Sequence, residues 1–129
     1  MYLIDSDRVV DFLKGVIESV DLLNNLSPHG VAISVLTYGE VLDGIYFGRD
    51  PVGNEAAFRD FLEPVDILPL SIRVAERFAR LRGELRRVGL IIGDMDLLIG
   101  ATAIEGNYTL VTRNVGHFDR LPGLMLYRE

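Results

Sequence analysis

Short apolar, β-rich runs recur along this chain, and each is separated from the next by residues of helical period or by a turn-rich link. Residues 2–4, 31–35, 65–70, 109–112 and 124–126 read as strands, the third ending at or near Pro69, which cannot donate to a sheet ladder. Strands that alternate with helices are joined by crossovers, and crossovers build a parallel sheet with helices on both faces. The pattern therefore predicts an α/β chain of three layers, α/β/α, around a parallel sheet of four to five strands.

The helical segments carry their own punctuation. Asp7 is placed to cap a helix bearing Val9, Val10, Phe12 and Leu13 that stops near Gly15. A second helix carries Ile17, Val20, Leu22, Leu23 and Leu26, and Ser27-Pro28-His29-Gly30 follows as a loop. Thr37 is the expected cap of a third, with Glu40 at capping-box spacing, and Gly48-Arg49-Asp50-Pro51 breaks it. Residues 54–63 present an apolar face of Phe58, Phe61 and Leu62. Ser71 caps an arginine-rich helix whose predicted buried stripe is Val74, Ala75, Phe78, Leu81, Leu85 and Val88. Asp94 is the expected cap of a helix to about residue 105, and its small apolar composition predicts central burial.

With 129 residues, 49% of them hydrophobic, the chain can fill one core and is read as a single domain, residues 1–129. No apolar stretch approaches the ~20 residues that span a bilayer, and Asp5 interrupts any leader-like run, so a soluble, cytoplasmic protein with no membrane association is expected. The absence of cysteine excludes disulfide frameworks, thiolate metal sites and cysteine nucleophiles. A net charge of −6 argues against a protein that simply coats nucleic acid. Positive charge is nevertheless concentrated: residues 71–88 hold six arginines against Glu76 and Glu84, which leaves that segment at +4 and the remainder at −10.

Chemistry in parallel sheets gathers beyond the carboxyl ends of the strands. Asp5 follows the first run, Glu40 lies one turn into the helix after the second, Asp96 stands in the first turn of the buried helix, and Asn114 follows the fourth run. If those helices begin at one sheet edge, the three carboxylates meet and their repulsion calls for a cation. Oxygen-only ligands favour Mg²⁺ or Mn²⁺ over zinc. Plainer roles stay open at this stage: Asp7 and Asp94 as caps, Glu40 as the partner of Thr37, the arginine helix as a solvated face, His117 as a surface residue and His29 as loop.

Four stretches in order carry a resemblance: Tyr2-Leu3-Ile4-Asp5-Ser6-Asp7, residues 33–44 from Ile33-Ser34 to Asp43-Gly44, Ile92-Gly93-Asp94-Met95-Asp96-Leu97-Leu98-Ile99-Gly100-Ala101, and Leu110-Val111-Thr112-Arg113-Asn114-Val115-Gly116-His117-Phe118. The chain resembles PIN-domain nucleases, and among them the VapC-type toxins of bacterial and archaeal toxin–antitoxin pairs. The resemblance implies a PIN fold, an Mg²⁺- or Mn²⁺-dependent endoribonuclease acting on RNA, a homodimer and a cognate VapB-type antitoxin. It also implies Asp5, Glu40 and Asp96 as the metal-binding acids, Asn114 at a fourth position often held by aspartate, and Asp94 or Asp119 as sources of the missing charge. Thr112 is then expected to support the site by hydrogen bonding, and Arg8, Arg113 and Arg120 to hold phosphate. The helix of Asp96 reads Ile-Gly-Ala where Ile-Ala-Ala is usual.

Two other functions remain in view. Asp5-Ser6-Asp7-Arg8-Val9 has the nucleophile spacing of haloacid-dehalogenase-like phosphatases, but those require a downstream lysine and the only lysine is Lys14. A catalytically weak PIN module acting mainly through protein partners is the second, favoured by the loss of the fourth acid.

Overall fold

Five strands, all parallel, form the central sheet in the order β3-β2-β1-β4-β5. They are β1 (Tyr2–Ile4), β2 (Val31–Ser34), β3 (Asp66–Leu68), β4 (Thr109–Val111) and β5 (Met125–Leu126). The helices are α1 (Ser6–Leu13), α2 (Ile17–Leu26), α3 (Val35–Phe47), α4 (Pro51–Leu62), α5 (Ile72–Arg87), α6 (Asp94–Gly106) and the short α7 (Val115–Phe118), with a 3₁₀ turn at Ser27–His29. The computed structural model describes residues 1–129.

Strand alternation sorts the core into two halves. Leu3, Ala32 and Leu110, paired across β1, β2 and β4, face Val74, Leu81 and Leu85 of α5, Leu97 and Ala101 of α6, and Phe118 of α7. Ile4, Ile33 and Val111 face the opposite way, onto Val9 of α1, Leu22 and Leu23 of α2, Val41 of α3 and Phe58 of α4. Because side chains alternate with period 2 along a strand, even three-residue strands supply both faces of a three-layer structure. The predicted α/β/α architecture with a parallel sheet is thus the one observed.

Several helix starts differ from those expected. Asp5, not Asp7, caps α1, its Oδ1 accepting from the Ser6 amide at 2.8 Å. Ser34, not Thr37, caps α3, its Oγ accepting from the Leu36 amide at 3.1 Å. The reason is that β2 ends at Ser34, one residue earlier than its run, so the hydroxyl of its last residue meets the free amides. Thr37 is instead fully buried in the first turn, and Glu40 is too far along to close a capping box. Gly93 occupies the cap position of α6, which leaves Asp94 as the first helical residue. Asp50 caps α4 from a left-handed conformation, φ 51°, so this helix begins at Pro51 rather than near residue 54.

On α5, Val74, Leu81 and Leu85 are buried as the period requires, whereas Ala75 and Val88 are exposed. The stripe is narrower because the helix stops at Arg87, and Val88 lies outside it. Helix α6 is buried along most of its length, and Gly100 there faces the Leu121 side chain so closely that an added methyl would displace it.

Candidate active site

Strands β1 and β4 lie side by side, and each turns into a helix at its carboxyl end. The Asp5 amide continues the ladder by donating to the Val111 carbonyl at 2.9 Å, which brings Asp5 directly beside Thr112. Thr112 Oγ1, itself buried, donates to Asp5 Oδ2 at 2.8 Å and accepts from the Asn114 amide at 3.1 Å. One hydroxyl thus ties the acid of β1 to the turn after β4.

Asp7 strengthens the same junction from the first turn of α1. Its Oδ2 accepts from the Arg113 amide at 3.0 Å and stands 3.3 Å from Thr112 Oγ1. Its Oδ1 is buried with no partner. Asp7 is therefore a cross-link between two strand ends and part of the local charge, not a helix cap.

Asp5 is 6% exposed, and its pKa is pushed up from 3.8 to about 6. Burial is the largest cause, followed by the charge of Asp7; the Thr112 and Ser6 hydrogen bonds pull the other way, and Asp96 adds a smaller upward push. Glu40 stands at the exposed rim, where partial burial of its carboxylate and then the charge of Asp96 raise its pKa, opposed by a hydrogen bond with the Ser6 side chain. Asp96, arriving from α6, therefore feels both Asp5 from β1 and Glu40 from α3. The three acids expected at one sheet edge are electrostatically coupled there.

Asp96 has a further neighbour. His117 Nε2 lies 3.0 Å from Asp96 Oδ2, and Arg120 Nη2 lies 3.0 Å from His117 Nδ1. From sequence, His117 reads as a surface residue ahead of a substrate contact, and not as a neighbour of Asp96. The available signal was its position on α7, which starts from the same sheet edge as α1.

The remaining expected residues disperse. Asn114 is exposed at the start of α7 and joins the site through its backbone amide. Asp94 pairs with Arg82, and Asp119 with Arg128 at 2.6 Å, both on the surface. The extra negative charge beside Asp5 comes from Asp7. Arg113 remains 57% exposed while its Nε contacts Asp11 at 3.2 Å. Arg120 engages His117. Arg8 turns away, donating to Ser19 Oγ at 3.2 Å and facing Glu129 at 3.5 Å.

The donor set suits a hard divalent cation. The acids offer oxygen donors, Asp5 and Glu40 are both pushed toward their protonated forms, and Asp7 Oδ1 is an acceptor without a donor. No three acid or histidine side chains close into a preformed cage. A cation here would have to keep water or substrate oxygens in its shell, as Mg²⁺ commonly does. Beside Glu40, a cleft of about 330 Å³ between α1, α3 and α4 is lined by Val10, Leu13, Val41 and Ile45, with Lys14 at its edge.

Comparison with known proteins places this arrangement among relatives. The family model of the PIN domain matches residues 2–124. A "Ribonuclease VapC2" of Rickettsia felis is 38% identical over 96 residues, covering 74% of this chain and 72% of its own. A "Ribonuclease VapC1" of Methanocaldococcus jannaschii is 32% identical over 127 residues, covering 97% and 85%. In the crystal structure of VapBC2 from Rickettsia felis bound to a DNA fragment from its promoter, one chain superposes with a TM-score of 0.90 at 32% identity, over 98% of this chain and 96% of that one.

Proposed function

Since the chain belongs to the PIN-domain family, in the branch of the VapC ribonucleases, we propose that it is the toxin of a toxin–antitoxin pair and an endoribonuclease dependent on Mg²⁺ or Mn²⁺. The observation that carries this reading is the meeting of Asp5, Asp7, Asp96 and Glu40 at one sheet edge, where burial first and then the charge of Asp7 push the pKa of Asp5 up to about 6, and burial and then the charge of Asp96 raise that of Glu40. Perturbed carboxylates of this kind cluster at functional sites.

Asp5 and Asp96 are the direct cation holders in this reading, with Glu40 as a third ligand or as the group that orients the attacking water. A bound divalent cation lowers the pKa of water and stabilises charge on phosphoryl and leaving oxygens. The chain's own residues prepare that chemistry. Thr112 and the Ser6 amide fix both oxygens of Asp5, so its orientation is set before substrate arrives. Glu40, exposed at the rim, can take a proton from water facing the scissile phosphate. Arg113, exposed beside the acids, would contact a flanking phosphate by giving up its contacts with Asp11 and Asp7, and Asn114 would support the site by hydrogen bonding.

The partners follow from the same family. A VapB-type antitoxin would neutralise the toxin, and the apolar cleft beside Glu40 suits an amphipathic antitoxin segment. The active form is proposed to be a homodimer.

The test is RNA cleavage by the purified chain freed of antitoxin, with Mg²⁺ or Mn²⁺ and with EDTA. Cleavage is expected only with the cation, and D5N should abolish it while retaining the fold and antitoxin binding. Wild-type protein that cleaves no RNA with either cation would overturn the proposal and leave a partner-binding module.

A further inference from the structure

We propose that His117 is a positioning residue of the acidic centre, and that its Nε2–H, oriented by Arg120, holds the Asp96 carboxylate for cation binding. The inference rests on the reading of this centre as a divalent-cation nuclease site.

Asp96 has most need of a restraint. It shares the edge with two other acids, Asp5 and Glu40, each of which feels its charge. Its side chain is 38% exposed, on the first turn of α6, with no hydroxyl or backbone amide bonded to it. An unrestrained carboxylate in that position relieves repulsion by rotating into water. Asp5, by contrast, has both oxygens tied.

His117 supplies the missing restraint from another element. Its Nε2 is 3.0 Å from Asp96 Oδ2, and the ring is only 25% exposed. On the other side Arg120 Nη2 stands 3.0 Å from Nδ1. A guanidinium has donors only, so Nδ1 must offer its lone pair and the ring proton must sit on Nε2, pointing at Asp96. The ring also packs edge-on against the fully buried Phe118 at 5.7 Å between centroids, which limits its rotation. A donor fixed in both tautomer and orientation holds one carboxylate oxygen and leaves the other for a ligand. Hydrogen-bonded supports of this kind orient metal ligands in general.

A contact that merely ties α7 to α6 would change stability without changing cation affinity, and a side chain lacking the ring but keeping a donor at Nε2 would restore little. Both points can be measured on the full chain, free of antitoxin, by Mn²⁺ titration followed by electron paramagnetic resonance, alongside circular dichroism and thermal unfolding. H117A is expected to remain folded and to bind Mn²⁺ roughly 10–100-fold more weakly. H117Q, whose amide nitrogen can take the place of Nε2, should bind close to wild type, and R120A should fall between. H117A binding Mn²⁺ as tightly as wild type, or H117Q as weakly as H117A, would overturn the role of His117. If H117A does not fold, H117Q against R120A decides the matter, and equal wild-type affinity in R120A counts against the oriented donor. D96N separates the two layers: wild type that binds no Mn²⁺, or D96N that binds it unchanged, overturns the cation site itself, whereas a D96N defect with H117A unaffected overturns the positioning role alone.

Discussion

Replacing Asp5 with asparagine should make the cation-free protein more stable while destroying its activity. In the folded chain Asp5 ionises near pH 6, against 3.8 as its ordinary value. At about 1.4 kcal/mol per pKa step, that difference means the ionised carboxylate costs the fold roughly 3 kcal/mol at neutral pH. The sign follows from proton counting. Between pH 4 and 6 the folded chain still holds a proton that the unfolded chain has released, so this group's contribution to stability falls as pH rises and is fully lost above about pH 6. Asparagine escapes that loss and keeps the local bonds: its carbonyl can accept from the Ser6 amide, and its amide can donate to Thr112 Oγ1. A gain of about 1–3 kcal/mol is expected at pH 7, or roughly 4–10 °C in Tm for a chain of this size. The assay is thermal unfolding of wild type and D5N in EDTA from pH 4 to 7.5. The advantage of D5N should be largest at neutral pH and vanish toward pH 4, and added Mn²⁺ should reverse the order, because only wild type gains from binding. An advantage that does not vary with pH, or a D5N protein less stable at pH 7 in EDTA, would refute the reasoning.

Four further substitutions probe the surroundings. Arg82 donates to the Ile92 carbonyl at 2.7 Å, pairs with Asp94 and lies over the Phe78 ring, so R82M should cost about 1–3 kcal/mol in urea unfolding and speed amide exchange across residues 88–96. RNA cleavage should weaken with it, since that connection leads into the helix of Asp96. Arg8 is engaged by Ser19 and Glu129, so R8M should lower Tm by a few degrees and leave RNA affinity in filter binding unchanged, whereas R113A should weaken affinity with little effect on Tm. Phe58 is fully buried and stacks with Phe61 and Tyr38, so F58A should destabilise by about 3–5 kcal/mol in chemical denaturation and leave the cation affinity of the folded fraction intact.

Much of this protein could be read from the order of its residues. Short apolar runs alternating with helical segments were enough for a parallel sheet between two helical layers, because strand and helix periods are local properties. Asp5, Glu40 and Asp96 were candidates for the same reason: Asp5 follows a run, Glu40 and Asp96 stand in the opening turns of helices, and parallel topology sends such positions to one edge. What the chain order left open was which neighbouring groups would meet. Whether Asp5 or Asp7 caps α1 depended on where β1 releases its last amide, and whether Ser34 or Thr37 caps α3 depended on where β2 stops pairing. Arg8 and Arg113 are chemically identical in sequence, yet α2 and the C-terminal residue capture one, while the other remains at the rim. The contact between Asp96 and His117 joins α6 to a four-residue helix beyond β4. Hydrogen-bond partners are selected by ångström-scale distances between separate elements, and those distances exist only after the two halves of the core have packed. Local periodicity thus determined the architecture and the edge on which the acids stand; tertiary packing alone decided that Asp7 would crowd Asp5, that Asp94 and Asp119 would meet Arg82 and Arg128, and that a histidine would contact Asp96.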